Sequence, residues 1–106
     1  MILLDPDING CIIWLINSPA NDYKSNVTYI KGNIEEVCYS LVKHFTFYQM
    51  IKNQYGNYVK ELCWVDEIYL DIAAIGKVYK DVFINRYKLP VMDVVPKSRN
   101  IIERKE

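Results

Sequence analysis

The sequence MILLDPDINGCIIWLI, from Met1 to Ile16, decides the fold of this chain. Two apolar runs, Ile2–Leu4 and Cys11–Ile16, flank a short polar insert that ends in Asn9 and Gly10. Asn and Gly tolerate the positive φ angles of tight turns, so apolar runs on either side of them are typical of two strands joined by a turn. We therefore predict an antiparallel β-hairpin at the start of the chain.

The first strand of this hairpin ends in a carboxylate. Asp5 directly follows the apolar run, and Asp7 lies two residues further along. Asp often serves turns, because its side chain bonds its own backbone two residues on. Asp5 is therefore open to two interpretations, as a turn residue or as an acid delivered to the edge of a buried sheet.

The composition is that of one globular domain. The chain has 106 residues, of which 51% are hydrophobic and 13% aromatic, and this is enough apolar material for a single core. Thirteen basic and thirteen acidic residues cancel, which excludes bulk attraction to nucleic acid and requires a local patch for any charge-driven partner. We predict one domain over residues 1–96 and a tail or short helix over residues 97–106.

Neither membrane insertion nor secretion is indicated. The longest uninterrupted apolar run, Cys11–Ile16, is far shorter than the roughly 18 to 20 residues that span a bilayer, and no signal-peptide pattern is present. Cys11, Cys38 and Cys63 are widely spaced and odd in number, which favours core thiols in a reducing compartment. We therefore predict a cytoplasmic protein that does not bind a membrane.

A third strand and a helix follow the hairpin. Val27–Ile30 has the β-branched and aromatic residues of a strand. Asn33 and Glu36 match a capping box, and the apolar period that begins there continues through Ile51 until Gly56 supplies a stop. We expect the apolar side of this helix to pack on the preceding strands.

The second half adds two strands and one helix. Glu67–Asp71 is rich in β-formers and again ends in a carboxylate, whereas Asn57–Trp64 fits either a continued helix or a connector. Ile75–Arg86 has a helical period, and Pro90–Pro96 is a short strand enclosed by prolines. The predicted fold class is α/β, with two main helices and a mixed sheet of about five strands: an antiparallel hairpin, then β-α-β-α-β.

This order resembles the RNase H-like superfamily, above all its RuvC-type resolvase and phage terminase-nuclease branches. The first strand of the RuvC type carries Asp-Pro-Gly before a turn glycine; Leu4–Ile13 is similar, with Asp7 in place of the glycine that follows the proline. Ile68–Asp71 with Gly76 looks like the family's strand that ends in an acid before a glycine-containing helix. Leu89–Lys97 looks like its strand that ends in proline and a basic residue. The resemblance covers most of the chain and implies an RNase H-like fold.

The resemblance also implies a divalent-metal-dependent nuclease that acts on or binds DNA or RNA. Its catalytic acids would be Asp5, Asp71 and Glu103, the last standing in the tail where the family has further acids on a helix. Carboxylate oxygens suit Mg²⁺ or Mn²⁺, and two such cations can clamp the attacking water and the leaving oxygen of a phosphodiester. The metal ligands would be Asp5, Asp7 and Asp71.

The same acids have structural interpretations. Asp71 fits a cap for the following helix, and Glu103 fits a solvated surface acid. A calcium-binding EF-hand loop is a further alternative, because the oxygen donors alternate from Asp5 and Asp7 onward, although Ile16 stands where that loop needs a bidentate glutamate.

The basic side chains allow two inferences. Lys97, Arg99 and Arg104 form a modest cluster in the tail, which either contacts phosphates of DNA or RNA or is a solvated end of the chain. His44 lies beside the apolar stripe of the first helix with no Cys or Ser placed as a nucleophile, which favours a boundary residue over a catalyst.

A different class of function is also open. On the same fold, the chain could be a noncatalytic protein-binding module, such as a small inhibitor or assembly factor of phage type. Exposed Tyr23, Tyr55 or Tyr58 could stack on bases or anchor a protein partner. The possible partners include another protein or, in a homodimer, a second copy of this chain. Such anchors need no converging carboxylates, so the spatial relation of Asp5 and Asp71 distinguishes the two classes.

Overall fold

The structure is a computed structural model that describes residues 1–18 and 22–94, with the side chains of residues 1–16 and 26–94. The predicted tail and the side chain of Tyr23 lie outside these ranges. Among the helices of the described ranges, none combines the length and the hydropathy that a membrane crossing requires.

The opening hairpin is confirmed. β1 (Ile2–Asp7) and β2 (Gly10–Ser18) pair antiparallel across a two-residue turn. β3 (Asp22–Lys31) pairs antiparallel with β2 and extends beyond the predicted Val27–Ile30 on both sides. The EF-hand interpretation is wrong, because its residues form two strands and a tight turn.

The first helix begins as predicted and ends earlier. α1 (Ile34–Phe45) has a capping box: the Asn33 side chain accepts the Glu36 backbone N–H at 2.9 Å, and the Glu36 carboxylate accepts the Asn33 N–H at 3.1 Å. The prediction that this helix continues to Ile51 is wrong. Thr46 already has an extended backbone conformation and its hydroxyl donates to the carbonyl oxygen one turn back, which ends the helix.

A second antiparallel hairpin follows α1 and replaces the predicted end of the helix. It consists of β4 (Thr46–Lys52) and β5 (Tyr58–Trp64), which pair along their whole length. Asn53 forms the turn, since its carboxamide oxygen accepts the backbone N–H groups of Tyr55 and Asn57 at 2.9 and 3.0 Å. The segment after this turn is therefore a strand, neither a continued helix nor a connector. We name β4 and β5 the outer hairpin.

The chain then returns to the first sheet. β6 (Ile68–Asp71) is followed by α2 (Gly76–Asp81), which continues as a π-helical segment (Val82–Arg86), and by β7 (Met92–Val94). β6 pairs parallel with β1, and β7 pairs parallel with β6. The result is a five-stranded mixed sheet of order β3-β2-β1-β6-β7. The α/β class with a five-stranded mixed sheet and two helices is thus confirmed.

Both helices pack on one face of this sheet. The main core lies between the two helices and the sheet. It includes the following buried residues: Ile2, Leu4, Ile13, Val37, Leu41, Leu70, Tyr79 and Phe83. The ring of Phe83 meets the ring of Trp64 edge-on, with the centroids 5.3 Å apart. Since edge-to-face aromatic pairs stabilise beyond their buried area, this contact fastens the outer hairpin to the core. On the opposite face, Leu3, Ile16 and Val94 form a smaller buried cluster.

Candidate functional site

Asp5 and Asp71 directly follow the last paired residues of two parallel strands. The register places Leu4 opposite Leu70, so the next residue on each strand is an aspartate. Neighbouring strands are about 4.8 Å apart, and residues in register on parallel strands point to the same face of the sheet. The fold therefore brings together two acids that are far apart in the sequence. We name Asp5 and Asp71 the acid pair.

The acid pair faces away from the helices. Leu4 and Leu70 belong to the helix-side core, whereas Leu3 belongs to the cluster on the opposite face. Because side chains alternate along a strand, Asp5 and Asp71 point to the side of Leu3. Asp71 is only 3% exposed, and Asp5 is half-buried. Two carboxylates on neighbouring strands present oxygen atoms to the same side of the sheet, and carboxylate oxygens are the donors that hard divalent cations prefer.

The connection after β6 holds Asp71 in place. Its Oδ1 accepts the backbone N–H of Ala73 at 3.0 Å, and the N–H of Ile72 donates to the carbonyl oxygen of Val94 at 3.2 Å. A Cβ at Gly76 would lie 1.8 Å from the carbonyl oxygen of Asp71, so the start of α2 touches the backbone of the acid itself. The Asp71 side chain thus caps the turn before α2 and not the helix, which begins only at Gly76.

Asp7 serves the turn of the opening hairpin. Its Oδ1 accepts the backbone N–H of Asn9 at 2.7 Å, as turn chemistry predicts. The hydroxyl of Tyr29 donates to the same carboxylate, at 3.1 Å from Oδ1 and 3.3 Å from Oδ2. These bonds tie the turn to β3 just beyond Asp5. The role of Asp7 as a metal ligand stays a prediction.

The two fully buried thiols are inert. Cys11 and Cys38 are buried in the helix-side core, and their burial raises the pKa of each thiol to about 12. Both therefore remain protonated at neutral pH, whereas a nucleophile or a metal ligand has to be a thiolate. Cys63 lies half-buried on the outer hairpin, so the prediction of a core residue is wrong there.

The other candidates from the sequence lie away from the acid pair. His44 is exposed in the last turn of α1, where its Nδ1 donates to the carbonyl oxygen of Ser40 at 2.8 Å. It is therefore more exposed than the predicted boundary residue. Tyr55 and Tyr58 are 79% and 68% exposed on the outer hairpin, as an interaction surface requires.

The predicted third acid and the basic cluster lie beyond residue 94, outside the part of the chain that the structure describes. Glu103 as a catalytic acid, and Lys97, Arg99 and Arg104 as phosphate contacts, therefore stay predictions. Within residues 1–18 and 22–94, no group of three or more His, Cys, Asp or Glu side chains is arranged around a metal position. The donors that the fold brings together are the two carboxylates of the acid pair.

Sequence reasoning missed a second surface, on the outer hairpin. The predicted helix makes Tyr48 part of a buried stripe, but its side chain is 62% exposed on β4. The signal that could have revealed the hairpin is the polar run Asn53–Asn57, with its Asn and Gly residues, between two runs rich in aromatic and β-branched residues.

Comparisons with known proteins do not assign the chain to a family. No protein-family model, no curated protein and no solved structure matches it. The RNase H-like resemblance therefore stays a prediction, and function has to be inferred from the geometry and chemistry of the acid pair.

Proposed function

We propose that the acid pair binds a divalent cation, Mg²⁺ or Mn²⁺, and that this site acts on or binds the phosphodiester backbone of DNA or RNA. The observation that supports the proposal is the parallel register that pairs Leu4 with Leu70, so that Asp5 and Asp71 are the next residues on the two strands. Proteins often hold Mg²⁺ through one or two carboxylates, and substrate phosphates complete its coordination. Two adjacent aspartates on strands of one sheet supply this set of donors.

Asp5 and Asp71 differ in burial, so we assign them different roles in the site. Asp71 is buried and oriented by the N–H of Ala73, so it is the fixed member of the pair. Asp5 is more exposed, so a cation that it holds would be accessible to an incoming phosphate. A cation bound there would neutralise phosphate charge and lower the pKa of a coordinated water. The strands hold both carboxylates more rigidly than loops would, as a precise site requires.

The topology around the pair supports an RNase H-like nuclease. The resemblance implies an antiparallel hairpin joined to parallel strands, with acids at the ends of the first strand of the sheet and of the next parallel one. The hairpin of β1 and β2 and the parallel pair of β1 and β6 agree with it. Gly76, the helix glycine of the resemblance, touches the backbone of Asp71. Two motifs of the resemblance therefore meet at one place.

The proposal predicts that Mn²⁺ stabilises the folded protein through Asp5. A ligand that binds only the folded state adds about 2.7 kcal/mol at 100 times its Kd, which raises the Tm of a domain of this size by about 10 °C. Asp5→Asn should remove this increase and leave the metal-free Tm nearly unchanged, because Asn has the same shape and lacks the charge. Thermal unfolding followed by circular dichroism, with and without Mn²⁺, measures both effects.

Asp81→Asn is the matched control for this titration. Asp81 is an exposed carboxylate at the end of α2, so the substitution makes the same change in charge away from the acid pair. The control should keep the full Mn²⁺ effect. If millimolar Mn²⁺ leaves the wild-type Tm unchanged, both alone and with a short oligonucleotide present, the proposal is contradicted. An equal Mn²⁺ effect in wild type and Asp5→Asn contradicts it as well.

A further inference from the structure

The outer hairpin presents its cations and its most exposed strand tyrosines on one face. Met50 lies opposite Lys60, and Lys52 lies opposite Tyr58. Opposite residues of antiparallel strands share a face, and residues two apart on one strand also share it, which adds Tyr48. All five side chains are exposed, by 62% for Tyr48 and 68% for Tyr58. We name these five residues the tyrosine-lysine face.

The positive and negative side chains of β4 and β5 lie on opposite faces of the outer hairpin. Both lysines of the outer hairpin strands belong to the tyrosine-lysine face. Glu61, the carboxylate of these strands, lies opposite Gln49 on the other face. The tyrosine-lysine face is therefore positive, although the whole chain is neutral. A charge-driven partner of this face has to be anionic.

One cation and one ring are already held together. The Nζ atom of Lys60 lies 4.3 Å from the centre of the Tyr48 ring, within the range of a cation–π contact. The contact limits the motion of two exposed side chains before any partner arrives. Less conformational entropy is then lost when a partner binds.

A cavity extends the face toward α1. It has a volume of about 360 Å³, and Tyr48 lines it together with Tyr39 and Lys43 of α1 and with Tyr87. Among its described lining residues, none is a carboxylate. The cavity therefore continues the chemistry of the tyrosine-lysine face, with further rings and a further lysine around a concave space.

We propose that the tyrosine-lysine face and this cavity bind single-stranded DNA or RNA. Proteins bind single strands by stacking bases on exposed aromatic rings while basic side chains follow the backbone phosphates. Tyr48 and Tyr58 provide the rings, and Lys52 and Lys60 contact phosphates between them. A duplex keeps its bases stacked inside and cannot use these rings. An uncharged protein surface could pack on the two rings, but it would offer no anionic group to Lys52 and Lys60.

This inference does not depend on the acid pair, because the two surfaces are far apart. The N–H of Gly32, just before α1, donates to the carbonyl oxygen of Asn9, so α1 begins at the end of the sheet where the acid pair lies. It ends at the outer hairpin, about 18 Å away for 12 helical residues. The acid pair also faces away from the helices. Oligonucleotide binding at the outer hairpin can therefore be measured in EDTA, without any cation at Asp5.

The test is fluorescence anisotropy of a labelled oligothymidylate of about 12 nucleotides at low salt in EDTA. Wild type should bind it more tightly than the same strand annealed to its complement. Tyr48→Ala should weaken binding about tenfold, whereas Tyr48→Phe, which keeps the ring, should bind like wild type. Lys52→Ala should reduce the slope of log K against log salt by about 0.7, as expected for one lost phosphate contact.

Lys77→Ala is the charge-matched control, because Lys77 is exposed on α2 away from the outer hairpin. It should leave both the affinity and the salt slope unchanged. Thermal unfolding of every variant shows that the fold is kept. Absence of oligonucleotide binding by folded wild type overturns the proposal. So does equal weakening by Tyr48→Ala and Lys77→Ala, or a self-association that Tyr48→Ala abolishes while the oligonucleotide does not bind.

Discussion

Gly76→Ala is expected to destabilise the protein by about 3 kcal/mol or more, a large part of the 5 to 15 kcal/mol that typically stabilises a domain. The reason is steric, since the new Cβ would lie 1.8 Å from the carbonyl oxygen of Asp71 and 2.8 Å from its carbonyl carbon. Backbone atoms cannot rotate aside as a flexible side chain can. Either α2 moves off β6 or the end of β6 is displaced. Urea denaturation followed by tryptophan fluorescence measures the loss in the free energy of unfolding.

Gly56→Ala is the control for this substitution. Gly56 has φ +85° in the turn of the outer hairpin, and its new Cβ would meet nothing closer than Lys52 Cε at 3.8 Å. Only backbone strain remains, and it should cost about 1 kcal/mol. If Gly76→Ala cost no more than Gly56→Ala, the close packing of α2 on Asp71 would be refuted. Where Gly76→Ala still folds, its Mn²⁺ response should also fall, because Asp71 has shifted.

Asp71→Asn is expected to reduce Mn²⁺-dependent cleavage of a single-stranded oligonucleotide at least about 100-fold. A catalytic cation supplies several kcal/mol of transition-state stabilisation, and each 1.36 kcal/mol changes the rate tenfold. Asn keeps the shape of the side chain and its acceptor for the Ala73 N–H, so the fold should persist. Cleavage is followed on a gel with labelled DNA and RNA, in Mn²⁺, in Mg²⁺ and in EDTA.

The comparison with Asp81→Asn separates catalysis by this protein from contamination. Both variants lose one carboxylate and are purified in the same way, so a contaminating nuclease would cleave equally in both preparations. Cleavage that persists in EDTA, or that is as fast with Asp71→Asn as with Asp81→Asn, contradicts the proposed function. If the cleavage test contradicts the proposed function, the inference of oligonucleotide binding at the outer hairpin is unaffected, because that binding is measured without a cation.

Local chemistry made much of the fold predictable. The opening hairpin follows from a tight turn between apolar runs, and the start of α1 follows from the capping box of Asn33 and Glu36, both of whose bonds are present. β6 follows from its β-formers between polar residues. Each of these signals lies within a few neighbouring residues, so these elements can be predicted without knowing which strands pair over long distances in the sequence.

The outer hairpin was not predictable by the same means. From Phe45 onward, the apolar residues continue a helical period, so the sequence shows no break after α1. The strand forms because its partner pairs with it from Thr46 opposite Trp64 to Lys52 opposite Tyr58. Pairing of this kind depends on tertiary structure, which overrides weak local preference.

The candidate site was predictable in part. Acids at the ends of two predicted strands indicated Asp5 and Asp71, and both directly follow the last residues that pair β1 with β6. The hydrogen-bond partners of Asp7 could not be predicted from the sequence. One of them is the hydroxyl of Tyr29, which donates to the Asp7 carboxylate from the distant strand β3. The contact between Gly76 and the backbone of Asp71 likewise depends on how α2 meets the sheet.

The most direct test of the acid pair is the anomalous scattering of Mn²⁺ in a crystal of the protein. We predict an anomalous peak on the face of the sheet that points away from the helices, within coordination distance of carboxylate oxygens of both Asp5 and Asp71. The peak should disappear in crystals of Asp5→Asn. Well-ordered carboxylates with no peak between them at saturating Mn²⁺, or a peak held by Asp7 alone, would contradict the account.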